Sequence, residues 1–170
     1  VMRFFGAGGG VQVTCADYAT PPHTGTSAAT QVLPGPYVAT QVVMPGQTAM
    51  GGTADGIEGT PDEQDAGQEF TVQVRAVDRY FNRVTGINNP IVFESPDANL
   101  TAPATVNLVN GEAFVPLTIV LAGNQTLAAR DLASQGITAP PSATFHVAAG
   151  PYARLLLLAP GEEALAGAAD

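Results

Sequence analysis

Phe70-Thr-Val-Gln-Val-Arg-Ala-Val77 decides the fold class. Phe70, Val72, Val74 and Ala76 fall on one side of an extended chain, and Thr71, Gln73 and Arg75 on the other. Successive side chains of a strand point to opposite faces, so this segment reads as a strand with one buried face. Outward from it, Ile91-Val-Phe-Glu94 is a shorter strand. Asn110-Gly111 divides Thr105–Val109 from Glu112–Leu121, and both turn residues tolerate the positive φ that a two-residue hairpin needs. In the second arm Val115, Leu117, Ile119 and Leu121 alternate with Pro116, Thr118 and Val120. Pro116 cannot donate to a ladder, which places this arm at an edge or a bulge. Ala122-Gly-Asn-Gln125 reads as a turn, Leu132 to Pro141 as a Gly/Pro loop, and Ser142 to Ala148 as a last strand with Phe145 and Val147 inward. With a strand from Tyr37 to Met44 and a short piece near Asn99–Thr101, about seven strands result and no helical period is sustained. The expected architecture is all-β, an immunoglobulin-like β-sandwich of about seven strands. A closed barrel fits less well, because the strands are few and uneven.

The segment Gly35-Pro-Tyr through Asp55 returns as Gly150-Pro-Tyr through Asp170, with nine of 21 aligned positions identical and an offset of 115 residues. That offset is the length of a small domain and exceeds the short solenoid repeats. A weaker echo aligns Val1–Asp17 with Val115–Asp131 at an offset of 114, so one inserted residue reconciles the two. The expected organisation is therefore residues 1–34 as the C-terminal strands of a preceding module, 35–149 as one complete module, and 150–170 as the first strand of a following one. Gly35-Pro36-Tyr37 and Gly150-Pro151-Tyr152 are the expected inter-module junctions, and their prolines restrict the angle at which neighbours meet.

Charge and cysteine content narrow the function classes. The chain has 170 residues and a net charge of −9, and all six basic residues are arginine. Such a surface repels phosphate backbones and offers no basic face to anionic membranes, so neither nucleic acid nor membrane insertion is expected. Cys15 is the single cysteine. It excludes an internal disulfide and, inside the strand-like run Val11–Ala16, is expected to be a buried, inert thiol. The Thr-, Ala-, Gly- and Val-rich composition with few charges suits a protein outside the cell or at its surface.

Several stretches, read in order, carry a resemblance. They are Pro45-Gly-Gln-Thr-Ala, Gly59-Thr-Pro, Ala66-Gly-Gln-Glu-Phe through Asp78, Phe81-Asn82-Arg-Val, Ser95-Pro-Asp-Ala-Asn-Leu, and Ala122-Gly-Asn-Gln through Asp131. Together they resemble tandem bacterial immunoglobulin-like repeats of large secreted or surface proteins, in the style of invasin and filamin modules. The usual small residue before the Asn of the Asp-to-Asn turn is Phe81 here. The resemblance implies a sandwich fold and a repeated scaffold; such modules serve as spacers, stalks, adhesive surfaces and fibre subunits alike.

No catalytic constellation emerges. His23 and His146 lack a Ser or Cys partner in any nucleophile motif. Gly8-Gly-Gly10 lacks the strand-and-helix setting of a phosphate cradle and reads as a hairpin turn. The stretch from Met44 to Gly67, expected to form a loop without secondary structure, carries Asp55, Glu58, Asp62, Glu63 and Asp65. These five carboxylates are candidate calcium ligands, although their spacing matches no established calcium loop and a solvated acidic loop is the simpler expectation. Asp78 and Asn82 are expected to cap backbone groups of their turn, with Tyr80 and Phe81 as a contact tip for a partner or neighbouring module. Asn99 and Asn124 head weak glycosylation patterns.

The function expected from these readings is structural: a semi-rigid spacer or filament-building repeat without catalysis or cofactor. Its partners would be neighbouring modules of the same chain and other copies in a fibre. The competing expectation is an adhesin or carbohydrate-binding module that meets a glycan or host surface through loop tips, against which stands the absence of Trp.

Overall fold

The computed structural model describes residues 3–153 and 155–164. The described residues form strands and loops and contain no helix. In chain order the strands begin with β1 (Gly8–Val11), β2 (Thr14–Ala16), β3 (Thr24–Thr26) and β4 (Thr30–Val32). Next come β5 (Ala39–Val43), β6 (Thr48–Ala49), β7 (Ile57–Glu58), β8 (Gln64–Asp65) and β9 (Glu69–Val77). The remainder are β10 (Pro90–Glu94), β11 (Val106–Asn107), β12 (Glu112–Thr118), β13 (Gly123–Gln125), β14 (Ala128–Asp131) and β15 (Phe145–Ala148).

A β-sandwich is built from β5 onward. One sheet has the order β12-β9-β5, antiparallel throughout, with β9 central. The other side consists of β11-β10-β14 and β13-β15-β8. Only Thr126 and Leu127 separate β13 from β14, so these two groups are consecutive parts of one continuous run. The alternation of β9 turns Phe70, Val72, Val74 and Ala76 into the core, where they meet Ile91, Phe93, Leu117, Ile119, Leu127, Phe145 and Val147. Phe70 and Phe145 pack edge-on across this core at a centroid distance of 6.0 Å. Pro116 lies on β12, at the edge of its sheet, with its side chain exposed, as its missing donor requires.

Strand β5 does not alternate, because it is buried on both faces. Its polar side chains are therefore satisfied internally: the Thr40 hydroxyl donates to the Ala129 carbonyl, and Gln41 Nε2 donates to the Gly56 carbonyl at 3.0 Å.

Gly8-Gly-Gly10, expected as a hairpin turn, is part of β1 and pairs with β4, and Asn99–Thr101 forms no strand, only a Thr101–Thr118 bridge. Four further expectations change. The Asn110-Gly111 turn forms with φ of 50° and 76°, the left-handed pair of a primed turn. Its arms separate at once, however. Val109 bridges Glu112, while β11 continues onto β10 and β12 onto β9. The turn thus carries the chain from one sheet to the other. Second, Ala122–Gln125 is not a turn: Gly123–Gln125 pairs with β15, and Gln125 is buried. Third, the 44–67 stretch carries the β6–β7 hairpin and β8, which pairs in parallel with β15. Fourth, Cys15 is exposed, since among the described residues β2 pairs only with β3 and no second layer covers that hairpin.

Candidate functional site

The Gly-Pro-Tyr segment at 35–37 is held by two buried carboxylates. Gly35 N donates to Asp78 Oδ2 at 2.7 Å. Asp78 Oδ1 also accepts from the backbone nitrogens of Tyr80 (2.8 Å) and Asn82 (3.0 Å), and the Asn82 side chain donates to both carboxylate oxygens. Burial alone would raise the Asp78 carboxyl, but these donors outweigh it and hold it below the usual carboxylate range. Asn82 extends the network to the N-terminal segment, donating to the Phe5 carbonyl at 2.7 Å and accepting from Ala7 N at 2.7 Å.

The second carboxylate is Asp131. Its Oδ2 accepts from the Tyr37 hydroxyl and from Asn89 Nδ2, both at 2.8 Å, and its Oδ1 accepts from Ala133 N and Ser134 N, also at 2.8 Å. Here too burial is outweighed, by Asn89, Ser134, Tyr37 and Ala133, and the carboxyl stays below its ordinary range. The same burial, with the Asp131 bond and charge, raises the Tyr37 phenol, so Tyr37 remains a donor at neutral pH.

Tyr80 lies against Phe5, with ring centroids 4.8 Å apart and planes at 52°. Phe81 adopts φ of 60°, and its ring covers Gly56, where any Cβ would collide with it. A cleft of about 420 Å³ runs between Phe4, Phe5, Leu33, Pro36, Val38 and Tyr80, directly beside the Asp78 network.

The N-terminal strands reproduce the geometry of the closing strands. Gly8 pairs with Val32 in β1–β4, and Gly123 pairs with Val147 in β13–β15, each partner displaced by 115 residues. Val11 pairs with Thr30, and Gln125 with Phe145; the register shift between Gly8 and Val11 absorbs the one-residue difference between offsets. Ser27 and Ser142 make the same three bonds. Val13 N donates to Ser27 Oγ (3.0 Å), Ser27 N to the Val13 carbonyl (2.9 Å), and Ser27 Oγ to the Ala28 carbonyl (2.9 Å). Leu127 N donates to Ser142 Oγ (3.1 Å), Ser142 N to the Leu127 carbonyl (2.7 Å), and Ser142 Oγ to the Ala143 carbonyl (2.8 Å). Asp17 Oδ1 accepts from Ala19 N, as Asp131 Oδ1 accepts from Ala133 N. The sequence held a signal for this bracket in Ser27-Ala28 and Ser142-Ala143, which stand 115 residues apart.

The second Gly-Pro-Tyr segment is placed differently. Gly150, Pro151 and Tyr152 are exposed, as are Leu155, Leu156, Leu157 and Leu158, and no strand forms among the described residues beyond Ala148. Arg154 and the closing residues 165–170 of the repeated segment lie outside the described residues, as do residues 1–2 of the weaker echo. The acidic candidates are dispersed. Glu63 Oε2 meets His146 Nδ1 at 2.9 Å, and among the described residues no group of three or more His, Cys, Asp or Glu side chains could share a metal ion. Asp55, Glu58, Asp62, Glu63 and Asp65 are thus not brought together. His23 Nδ1 meets Asp17 Oδ2 at 2.8 Å on an open surface.

No protein-family model matches the chain, and no curated protein matches it significantly. Solved structures that align with this chain include a β-glucuronidase from Parabacteroides merdae, at 13% identity and a TM-score of 0.45 over 79% of this chain and 16% of that one. A glycosyl hydrolase family 2 member from Bacteroides cellulosilyticus aligns at 11% identity and a TM-score of 0.49 over 83% of this chain and 18% of the other. A β-glycosidase from Bacteroides vulgatus aligns at 10% identity and 0.48 over 81% and 17%. The chain spans less than a fifth of each of these enzymes.

Proposed function

We propose that this chain is a structural β-sandwich repeat, a non-catalytic spacer or filament-building module of an extended protein outside the cell or at its surface. On this reading residues 1–34 close a preceding sandwich, 35–149 form a complete one, and 150–170 begin the next. The observation that carries it is the duplicated serine bracket, with its shared strand register, at Ser27 and Ser142. What recurs along the chain is a scaffold element, and the groups around it cap backbone atoms; none pairs a nucleophile with a base. The Asp78 and Asn82 contacts to Gly35, Phe5 and Ala7 support a junction of restricted angle, which a spacer needs. Negative-stain imaging of the native protein tests the reading. Rods or fibres with a regular axial repeat are expected, and compact particles without axial periodicity would exclude it.

A second reading, an adhesive or glycan-binding module, draws on an open groove of about 440 Å³ whose walls include Gln41, Gln47, Asp55 and Phe81. Polar side chains beside one aromatic ring suit a sugar. Glycan-array binding that disappears in Phe81→Ala or Asp55→Ala would favour it over the spacer.

A further inference from the structure

We infer that the cleft lined by Arg75, Arg83 and Thr85, on the outer face of the β12-β9-β5 sheet, is a binding site for a small oxyanion: phosphate, sulfate or a carboxylate. Arg75 belongs to the outward-facing set of β9, between the core residues Val74 and Ala76. Its neighbours across the sheet are Gln41 on β5 and Glu112 on β12. Arg83 follows the Asp78–Asn82 turn and bridges back to Val77, which brings a second guanidinium to the same cleft. The cleft holds about 290 Å³, and Gly51, Asn82 and Ala7 complete its wall. A Cβ on Gly51 would lie 2.8 Å from Asn82 Oδ1, so glycine is what lets the 51–52 loop approach this closely. Nothing in the site requires the spacer reading, because its arginines, Thr85 and Gly51 all belong to one sandwich.

One carboxylate serves both cations. Glu112 Oε2 accepts from Arg83 Nη1 at 2.5 Å, and its Oε1 is taken by Gln73 Nε2, also at 2.5 Å. Among the described residues Arg75 makes no ion pair, and its Nη1 reaches only Gln41 Oε1, at 3.4 Å. Burial, opposed by the Glu112 charge and reinforced by that of Arg83, holds the Arg75 guanidinium below its ordinary value. An arginine nonetheless stays charged at neutral pH. A half-buried cation is thus left with most of its donor fork unmatched, and a planar fork of this kind suits the paired oxygens of an oxyanion. The Thr85 hydroxyl is exposed at the rim and adds a donor. The neighbouring polar groups do not compete: Asn82 is engaged with Phe5, Ala7 and Asp78, and the Asp78 oxygens with Gly35, Tyr80 and Asn82. The size of the occupant follows from the charge of the whole chain. At a net −9 it repels long polyanions, whereas a single small anion meets the local excess of positive charge.

Titration with inorganic phosphate, sulfate and acetate, each balanced by chloride to constant ionic strength and followed by nitrogen–proton NMR, tests the site. Saturable shifts are expected at the Arg75 and Arg83 Nε–H groups and at the Gly51 and Thr85 amides. Arg130, paired with Glu94 on an exposed surface, is the internal control and should not respond. Arg75→Gln should weaken phosphate binding on the order of tenfold or more, the scale of one charge-assisted hydrogen bond. If that variant does not fold, Thr85→Ala, at an exposed position, should still weaken binding severalfold. Glu112→Gln should act in the opposite sense and tighten binding about tenfold, by removing the carboxylate that competes for Arg83. A purely structural pairing of Glu112 with the two arginines would give no such gain. Tighter phosphate and sulfate binding would identify a tetrahedral occupant, and tighter acetate binding a carboxylate. Shifts that grow without saturating, that are as large at Arg130, or that Glu112→Gln leaves unchanged would overturn the site.

Discussion

Two hairpins in this molecule, residues 8–32 and 123–148, share a strand register, a serine bracket and an aspartate cap, yet they live in different surroundings. In the closing hairpin Leu127, Ala129, Phe145 and Val147 are at most 2% exposed. In the N-terminal hairpin their counterparts Val13, Cys15, Thr30 and Val32 are half-buried or exposed. The local hydrogen bonds are the same, so they specify shape without supplying burial. Two-stranded hairpins are marginal on their own, and stability comes from the layer packed against them. The residue choice agrees: β13–β15 places Phe145 where β4 has Thr30, and the aromatic ring goes to the position that has a partner in Phe70.

The comparison is most exposed to failure at its apolar positions. Leu127→Ala should lower the unfolding free energy by about 2–5 kcal/mol, the range for emptying a buried leucine site. The counterpart Val13→Ala should cost under about 1 kcal/mol, because half-buried surface is lost and no enclosed cavity forms. Urea denaturation of both variants checks this, and equal losses would show that the N-terminal hairpin is packed as tightly as the closing one.

The aspartates give the next largest contrast. Asp131→Asn should cost about 1.5–3 kcal/mol at neutral pH, since a buried charged acceptor of four hydrogen bonds is replaced by a neutral amide. The Asp131 carboxyl is held below its ordinary value in the folded chain. Its stabilising contribution is therefore complete well above the unfolded value near 3.9, and it is lost as pH falls through the lower folded value. Wild-type stability should decline below about pH 4, more steeply than that of Asp131→Asn. Asp17 is also shifted down, by the His23 backbone bond first, but it is fully exposed. Asp17→Asn should leave the melting temperature of the isolated chain unchanged within error, and a loss matching that of Asp131→Asn would break the contrast.

The serines should differ least. Ser142→Ala removes a buried hydroxyl and leaves Leu127 N without its acceptor, worth about 1–2 kcal/mol; Ser27→Ala, open to water, should cost a few tenths of that or less. Thermal melts followed by circular dichroism would sharpen the difference.

Much of the sandwich was readable because its signals are local. The alternation of Phe70–Val77 marked a strand with one buried face, and the Asn110-Gly111 pair marked a tight turn. Pro116 marked an edge or a bulge, and it lies at an edge. The misreadings come from segments whose state is set by distant partners. Ala-Gly-Asn-Gln at 122–125 carries turn residues, yet β15 recruits it as a strand. Asn-Gly announces a tight turn but contains nothing about which sheet each arm will join. Cys15 sits in a β-prone run, and burial depends on a covering layer that the run itself does not encode. At the candidate site, Tyr37 was visible through its repetition, while its acceptor Asp131 is 94 residues away and has no local mark of that role. Asp78 and Asn82 were legible as turn caps, but their reach to Phe5 and Ala7 is a tertiary fact.

The parallel pairing of β8 with β15, with Gln64 opposite Val147 and Asp65 opposite Ala148, has a mechanical meaning. Ala39 and Thr138 are bridged in the same sense. When Gly35 is pulled away from Gly150, strands that run side by side in the same direction are dragged past one another along their length. Their hydrogen bonds are then loaded together in shear, and cannot open one after another as in an unzipping hairpin. Tension applied between the two Gly-Pro-Tyr segments would therefore meet these parallel pairings in shear.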